Sequence, residues 1–519
     1  MKQHLNHMLF DEPAVQPFDR YNQELLAQVH PPDWVDPKPA PLYDLVVIGA
    51  GTAGLVVAAG AAGLKLGLKI ALIEKSLMGG DCLNLGCVPS KTMIQSARVA
   101  ATIRNAEPFG IRPPAEVDVD FAAVMERMRR IRAEISTHDS AKEFSSQGID
   151  VFLGNAAFVD ERTVEVNGRL LRFKKAAITT GARAAHPNIP GLTEAGFLTH
   201  ETVFSLVDRP ARLAVIGGGP IGCEFAQAFG RLGSQVTLLH KNEHLLDRED
   251  IDAAQAIEQR FGREGLNVLL NSTVKRVEQT DAGTAIHYEQ QGATQTVIVD
   301  RILIGAGRSP NVEELNLEAA GVSYDPTGVV VDDYLQTTNP RIYAAGDICM
   351  KWKFTHAADA AARIAIKNAL FAPFGIGRSK LSSLVMPWVT YTDPEIAHVG
   401  LYEAEAQAQG IATETIHIPF SEVDRALTDG ETEGFVKILL RRGSDRILGA
   451  TIVASHAGDL ISEITLAIVT KQGLKALSQV IHPYPTQAGA IKQAADEYYR
   501  QTFVNPTLQV LLKLVAKFS

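Results

Sequence analysis

Leu42-Tyr43-Asp44-Leu45-Val46-Val47-Ile48-Gly49-Ala50-Gly51-Thr52-Ala53-Gly54 is the stretch on which the fold turns. An apolar strand from Leu42 to Ile48 runs into Gly49-x-Gly51-x-x-Gly54, and Leu55 to Ala62 continue as a helix. A second strand, Lys69 to Ile73, ends at Glu74, twenty positions beyond Gly54. Each part has a job in holding a dinucleotide. The glycines let backbone approach a pyrophosphate, the helix N-terminus supplies partial positive charge, and the carboxylate accepts ribose hydroxyls. Three glycines alone are a weak signal; strand, turn, helix and acid in this order are a strong one. Leu45 to Leu64 carries no charge over twenty residues, the length of a membrane span, but the glycines mark a strand, a turn and a helix instead.

The unit recurs downstream: strand Leu213 to Ile216, Gly217-x-Gly219-x-x-Gly222, helix Cys223 to Leu232 and strand Gln235 to Leu239. His240-Lys241 stands where the first unit has Glu74. A carboxylate there would accept the 2′-hydroxyl of NAD, whereas His and Lys favour the 2′-phosphate of NADP. NADPH is therefore expected, with NADH as the alternative. Two such units imply two nucleotides, one held and one exchanged, and hydride relay between a flavin and a nicotinamide is the economical reading.

Between the units lies Gly79-Gly80-Asp81-Cys82-Leu83-Asn84-Leu85-Gly86-Cys87-Val88-Pro89-Ser90-Lys91. Two thiols five positions apart admit inert burial, zinc or a disulfide. Zinc would need two more Cys or His close by, and the neighbourhood has none, so no metal site is expected. The glycines, with a helix predicted from near Val88 through Ala100, favour a small-loop disulfide at a helix N-terminus, where a thiol pKa falls.

This segment resembles the redox disulfide of the flavin-dependent pyridine nucleotide-disulfide oxidoreductases, which include glutathione reductase, dihydrolipoamide dehydrogenase and mercuric reductase. The resemblance extends over nearly all of 42–503. Thr179-Thr180-Gly181-Ala182 resembles the close of a flavin-contacting strand, and Gly305-Ala306-Gly307-Arg308-Ser309-Pro310-Asn311 the return into the flavin domain. Ile342-Tyr343-Ala344-Ala345-Gly346-Asp347 resembles the segment whose Asp binds the ribityl chain, and Val389 to Gly400 the opening of a dimerisation domain. The implied fold class is α/β, with two Rossmann-like dinucleotide-binding domains and a C-terminal α+β dimerisation domain. The boundaries implied are an FAD domain at 42–190 and 305–380, an NAD(P)H domain at 191–304 and the dimerisation domain at 381–503. An N-terminal arm (1–41) and a C-terminal amphipathic helix (504–519) flank them.

By the same resemblance FAD is held by Gly49, Gly51, Gly54, Glu74, Lys75, Gly80, Asp81, Lys91, Thr180, Gly181, Gly307 and Asp347. The nicotinamide nucleotide takes Gly217, Gly219, Gly222, His240 and Lys241. Cys87 is implied as the flavin-proximal thiol and Cys82 as the interchange thiol that meets the substrate. Lys91 and Glu224 match positions that form an ion pair beside the flavin ring. Asp81 stands where Thr is more usual and adds a negative charge near the thiols.

The C-terminal segment departs from the pattern. Members that handle dithiols carry His-x-His-Pro-Thr-x-x-Glu, supplied across a homodimer; here the segment reads His482-Pro483-Tyr484-Pro485-Thr486-Gln487-Ala488-Gly489. Tyr, with a pKa near 10, is a poor base. Tyr484 and Phe225 to Gly233 resemble mercuric reductase instead, although the cysteine pairs that deliver the metal ion in those enzymes are missing. His482 is expected as a structural residue or a weaker base, and Cys223 and Cys349 as small core residues. The expected activity passes electrons from NADPH through FAD and Cys82-Cys87 to a small thiol-reactive acceptor such as Hg(II). A disulfide reductase or dihydrolipoamide dehydrogenase drawing its base from His482 is the alternative, and a redox-sensing flavoprotein is the reading from another class.

Composition bounds the rest. With 46% hydrophobic and 21% charged residues among 519, the chain is ordinary globular protein, not disordered or fibrous. A formal charge of −9 offers no basic surface to nucleic acid. Four cysteines are too few for a secreted disulfide scaffold, and the first forty residues hold no secretory signal, so a cytoplasmic location is expected. His30-Pro31-Pro32-Asp33 and Asp36-Pro37-Lys38-Pro39 predict an extended arm on the surface or on a partner subunit. Asn505-Pro506 predicts a cap and first turn for a short C-terminal helix, with Leu508, Leu511, Leu512 and Val515 on one face. That helix is expected to pack on its own body or a second subunit, with peripheral membrane attachment as the alternative.

Overall fold

The computed structural model describes residues 15–305, 307–503 and 506–517. They form two compact units. The first runs up to Gly217 and adds 228–236 and 274–384; the second comprises 218–227, 237–273 and the chain from Val385 onward.

In the first unit, helix α1 (Arg20–Val29) precedes strand β1 (Tyr43–Ile48), helix α2 (Thr52–Gly63) and strand β2 (Ile70–Glu74). Helices α3 (Gly80–Asn84), α4 (Cys87–Arg104) and α5 (Phe121–Ser136) follow, then strands β3 (Asp150–Leu153), β4 (Ala156–Asp160), β5 (Thr163–Val166) and β6 (Arg169–Ile178). The strands order as β3-β2-β1-β6-β5-β4, and Ile342–Ala344 pairs in parallel with β6. β1 is parallel to both neighbours, with Ile48 beside Ile73 and Ile178. Leu45 to Ile48 are at most 3% exposed, as a parallel strand covered on both faces requires. The strand register brings Gly49, Glu74 and Thr179 together at the carboxyl edge, where open α/β sheets bind ligands. The unit also holds the parallel pair Arg212–Ile216 and Arg301–Ile304, and the hairpin Gly283–Gln290 with Ala293–Val299.

The N-terminal arm corrects the expectation of an extended chain. Residues 20–29 form α1 because this stretch lies between Pro17 and Pro31 and contains no proline itself. Asp19 caps it, its Oδ1 accepting from Asn22 N at 2.9 Å. The proline-rich residues 31–41 have neither helix nor strand and lie along the sheet edge, where Trp34 Nε1 donates to Val151 O and Asp36 Oδ1 accepts from Leu153 N.

The second unit is built on a five-stranded antiparallel sheet, in the order Pro387–Thr390, Glu395–Gly400, Ile447–Ala454, Phe435–Arg441 and Thr413–Pro419. Ile416, Val436 and Ile452 from the sheet join Ile461 and Ile491 from helices Ala457–Val469 and Gly489–Phe503 in one core. His398 is buried, stacked on Tyr402 at 3.7 Å with its Nδ1 2.8 Å from Thr451 Oγ1, and burial pushes its pKa down to about 3. The C-terminal helix spans Pro506–Val515; its expected cap, Asn505, lies outside the described residues. Val510, Leu514 and Val515 are more than half exposed, and no helix among the described residues is long and apolar enough to cross a membrane.

Candidate active site

The first glycine turn is closed by backbone. Gly49 has φ +99°, and a β-carbon on Gly54 would lie 1.8 Å from Gly49 O, so both positions require glycine. Gly51 caps α2 without a side-chain bond, leaving the N–H groups of the first turn for a ligand. Glu74 is 9% exposed; its carboxylate accepts from Ala50 N at 2.6 Å and Ser76 N at 2.8 Å, and burial raises its pKa. Lys75 is exposed and donates to Glu314 Oε2 at 3.3 Å. Thr180 and Asn311 exchange bonds, Thr180 Oγ1 to Asn311 O at 3.0 Å and Asn311 Nδ2 to Thr180 O at 2.8 Å. Gly181 and Gly307 in the same two crossings both have positive φ. A dinucleotide fits this set: Gly49 and Gly54 close the turn on backbone alone, and Gly51 puts no side chain over the N-terminus of α2.

The same turn carries the cysteine segment. Gly79 N donates to Ala50 O at 2.8 Å, and a β-carbon on Gly80 would stand 2.6 Å from Gly51 Cα. α3 therefore starts against the dinucleotide turn and places Cys82 next to it. Cys87 is the first residue of α4, with Sγ 3.3 Å from Thr355 Oγ1, and Lys91 follows one turn later. Both cysteines are present as thiols. The Cys87 side chain, hydrogen-bonded to Cys82, pushes the Cys82 pKa strongly up, and burial adds to this. For Cys82 the expectation of a lowered thiol pKa is thus reversed. α4 begins at Cys87, so its N-terminus favours a thiolate there, and that negative charge opposes a second one at Cys82.

Asp81 is neutralised. Its carboxylate pairs with Arg308 and lies 3.7 Å from His200 Nε2, while Arg308 Nη1 is 3.4 Å from Asp347 Oδ2. Two carboxylates thus share one guanidinium. Another carboxylate, Asp139, adds to the upward shift at Cys82. Asp347 is held above the usual carboxylate range by burial, with Arg308 opposing, and Lys353 Nζ donates to its backbone O at 2.8 Å. His200 Nε2 is buried without a hydrogen bond, and burial lowers the pKa of the ring. Sequence reasoning missed both partners of Asp81. Arg308 sat inside a quoted motif and lies 227 positions away, and His200 had no signal at all.

The second glycine turn gives His240 a different role from the one expected. Its Nδ1 accepts from Gly218 N at 3.0 Å and its Nε2 donates to Asp247 Oδ1 at 2.9 Å, with the residue 5% exposed. With both ring nitrogens engaged, His240 supports the turn. Lys241 is exposed. Gly217 has φ +111°, Gly219 precedes helix Pro220–Arg231, and Gly222 lies within that helix. On it Glu224 is buried, its Oε1 accepting from Tyr391 N at 2.9 Å. Cys223 is fully buried and its thiol donates to Gly218 O, while the Cys349 thiol is pushed up to about 12 by burial. Both behave as packing residues.

At the C-terminal segment, Tyr484 is 82% exposed and donates to Asp424 Oδ2 at 3.0 Å, a bond that raises its pKa further. His482 has the acidic partner that local sequence lacks. Its Nε2 is 3.0 Å from Glu463 Oε1, on helix Ala457–Val469, and its Nδ1 is 3.1 Å from Val480 O. Both ring nitrogens therefore face oxygen acceptors. Glu463 lies nineteen residues upstream, beyond the reach of any spacing rule.

Family models agree with this architecture. The pyridine nucleotide-disulphide oxidoreductase model matches residues 43–362, and the dimerisation domain of the same family matches 386–495. The chain is 37% identical to the mercuric reductase of Staphylococcus aureus over 454 residues, covering 87% of this chain and 82% of that protein. It is 35% identical to the dihydrolipoyl dehydrogenase of Chlamydia muridarum over 459 residues, covering 87% and 96%. Among solved structures, the HOCl-induced flavoprotein disulfide reductase RclA from Escherichia coli superposes with a TM-score of 0.77 at 28% identity, over 88% of this chain and 99% of that one. With two glycine turns, a thiol pair seated on the first of them and a matched dimerisation domain, the chain belongs to the class I pyridine nucleotide-disulfide oxidoreductases, enzymes that use FAD and a pyridine nucleotide.

Proposed function

We propose that this enzyme takes electrons from NADPH, passes them through FAD to a Cys82-Cys87 disulfide and delivers them to a small thiol-reactive acceptor such as Hg(II). The observation that carries the reading is the thiol pair on the dinucleotide turn, with Cys82 hydrogen-bonded to Cys87. FAD, when bound, supplies the conversion of a two-electron hydride donor into a dithiol reductant. Gly49, Gly51 and Gly54 would hold its pyrophosphate, Glu74 a ribose, and Asp347 the ribityl side. Lys91 would stand beside the ring. Cys87 would hold the thiolate and Cys82 the proton, so that Cys82 meets the acceptor. The thiolate and the thiol then return to one disulfide, the acceptor gains two electrons, and the Cys82 proton leaves to solvent.

The domain plan goes with it: an FAD domain at 42–190 and 305–380, interrupted by an NADPH domain at 191–304, and a dimerisation domain at 381–503. A homodimer acting in the cytoplasm would bring Tyr484 of a second copy to the thiols. Lys241 supports NADPH over NADH, since a cation at that position would attract a 2′-phosphate. The mercuric reductase relatives and Tyr484 support a metal-ion acceptor. The test is anaerobic turnover with Hg(II) and both nicotinamides: NADPH-dependent reduction lost in Cys82→Ser supports the reading, and none by the native enzyme overturns it.

A second reading, a lipoamide or glutathione disulfide reductase, is favoured by the His482–Glu463 pair and the dihydrolipoyl dehydrogenase relatives. It predicts disulfide turnover abolished by His482→Ala.

A further inference from the structure

The residues before Tyr43 lie outside the matched family region, yet they grip the cysteine helix from two sides. Asn22, fully buried in α1, donates with Nδ2 to Pro17 O at 2.7 Å and accepts with Oδ1 from Arg132 Nη2 at 2.6 Å. Arg132, 2% exposed on α5, donates with Nη1 to Asn84 O at 2.7 Å. Asn84 ends α3, and its Nδ2 donates to Met78 O at 3.0 Å and Gly80 O at 2.9 Å. At the far end of α1, Val29 O accepts from Met78 N at 3.1 Å. The whole segment 78–84, with Cys82 inside it, thus hangs between the two ends of α1.

This grip has work to do. α3 is five residues long, too short to be stable on its own backbone bonds, so its geometry comes from what holds it. Arg132 is a buried cation whose pKa burial pushes down to about 10, and a buried charge keeps its place only while its hydrogen-bond partners are in position. Asn22 and Asn84 are those partners, one on the N-terminal segment and one on the cysteine helix.

We propose that residues 17–30 are a strap that positions Cys82: α1, acting through Asn22 and Arg132, fixes α3 so that the Cys82 thiol stays against Cys87. Asn22 and Arg132 are positioning residues in this scheme and touch neither substrate nor cofactor. The proposal rests on the reading of Cys82 and Cys87 as the redox pair.

The test uses the full-length flavoprotein, reduced anaerobically in parallel arms by NADPH and by dithiothreitol, with Cys82 alkylation by iodoacetamide followed against pH by mass spectrometry. Asn22→Ala removes the acceptor for Arg132 and is expected to raise Cys82 alkylation about tenfold at fixed pH, moving the profile down by about one unit. Asn22→Asp keeps the acceptor and is expected to restore the native profile; Arg132→Lys, which cannot bridge both partners, falls between. Identical profiles in the native protein and Asn22→Ala overturn the strap. Should Asn22→Ala fail to fold, the native protein against Arg132→Lys decides the matter in the same way. Thiols released by dithiothreitol but not by NADPH would count against the redox reading alone, and the dithiothreitol profiles would still judge the strap.

Discussion

Asp81, one residue before Cys82, is ion-paired with Arg308, and Arg308 reaches on to Asp347. An acid beside a reactive thiol would ordinarily raise its pKa; here the guanidinium cancels that charge. Asp81→Asn leaves Arg308 to Asp347 alone and removes one negative charge beside the thiols, so it should lower the apparent pKa of the dithiol by about half to one unit. Arg308→Met should move it the other way. Thiolate absorbance of the reduced enzyme against pH reads both shifts, and the same sign in both variants would contradict the pairing.

Gly54→Ala places a methyl group into Gly49 O and cannot be absorbed without opening the turn. The variant should purify with its FAD content reduced about tenfold or more, a loss of at least ~1.4 kcal/mol in binding. Flavin absorbance per protein measures this, and a fully yellow variant would contradict the assignment of the turn.

Lys241→Glu tests the choice of nicotinamide. The KM for NADPH should rise about tenfold, with NADH barely affected, because only the former carries the phosphate that Lys241 would meet. His240→Gln should instead disturb both nucleotides alike, since His240 supports the Gly218 backbone.

His398 links stability to pH. Its folded pKa is about 3, below the unfolded value near 6.5, so the unfolded chain binds the extra proton between those limits. Stability should fall as pH drops from about 6.5 towards 3, with a slope approaching ~1.4 kcal/mol per pH unit from this residue. His398→Phe, which keeps a ring against Tyr402, should flatten the slope in urea unfolding series at pH 4 to 7.

The parts of this enzyme that sequence made legible are those built from local backbone. Gly49-x-Gly51-x-x-Gly54 followed by Glu74 reads as a strand, turn, helix and strand because each neighbour in space is a neighbour in the chain. Cys82 and Cys87 are legible for the same reason. Arg308, His200 and Glu463 were not, because each reaches its partner through tertiary packing: Arg308 to Asp81 across 227 positions, Glu463 to His482 across nineteen. His240 misled because residue type says nothing of burial, and a buried ring with both nitrogens engaged holds the turn instead of reaching a phosphate. In the arm, the proline clusters hid the ten-residue helix between them.

The central claim is that NADPH reduces Cys82-Cys87 through FAD. Anaerobic addition of NADPH to the oxidised flavoprotein, followed by alkylation and mass spectrometry, tests it most directly. Two new alkylated thiols per FAD, at Cys82 and Cys87, are predicted, with neither appearing when the pair is replaced by serine. A flavin that bleaches while both cysteines stay unmodified, or a purified protein without flavin, would contradict the account.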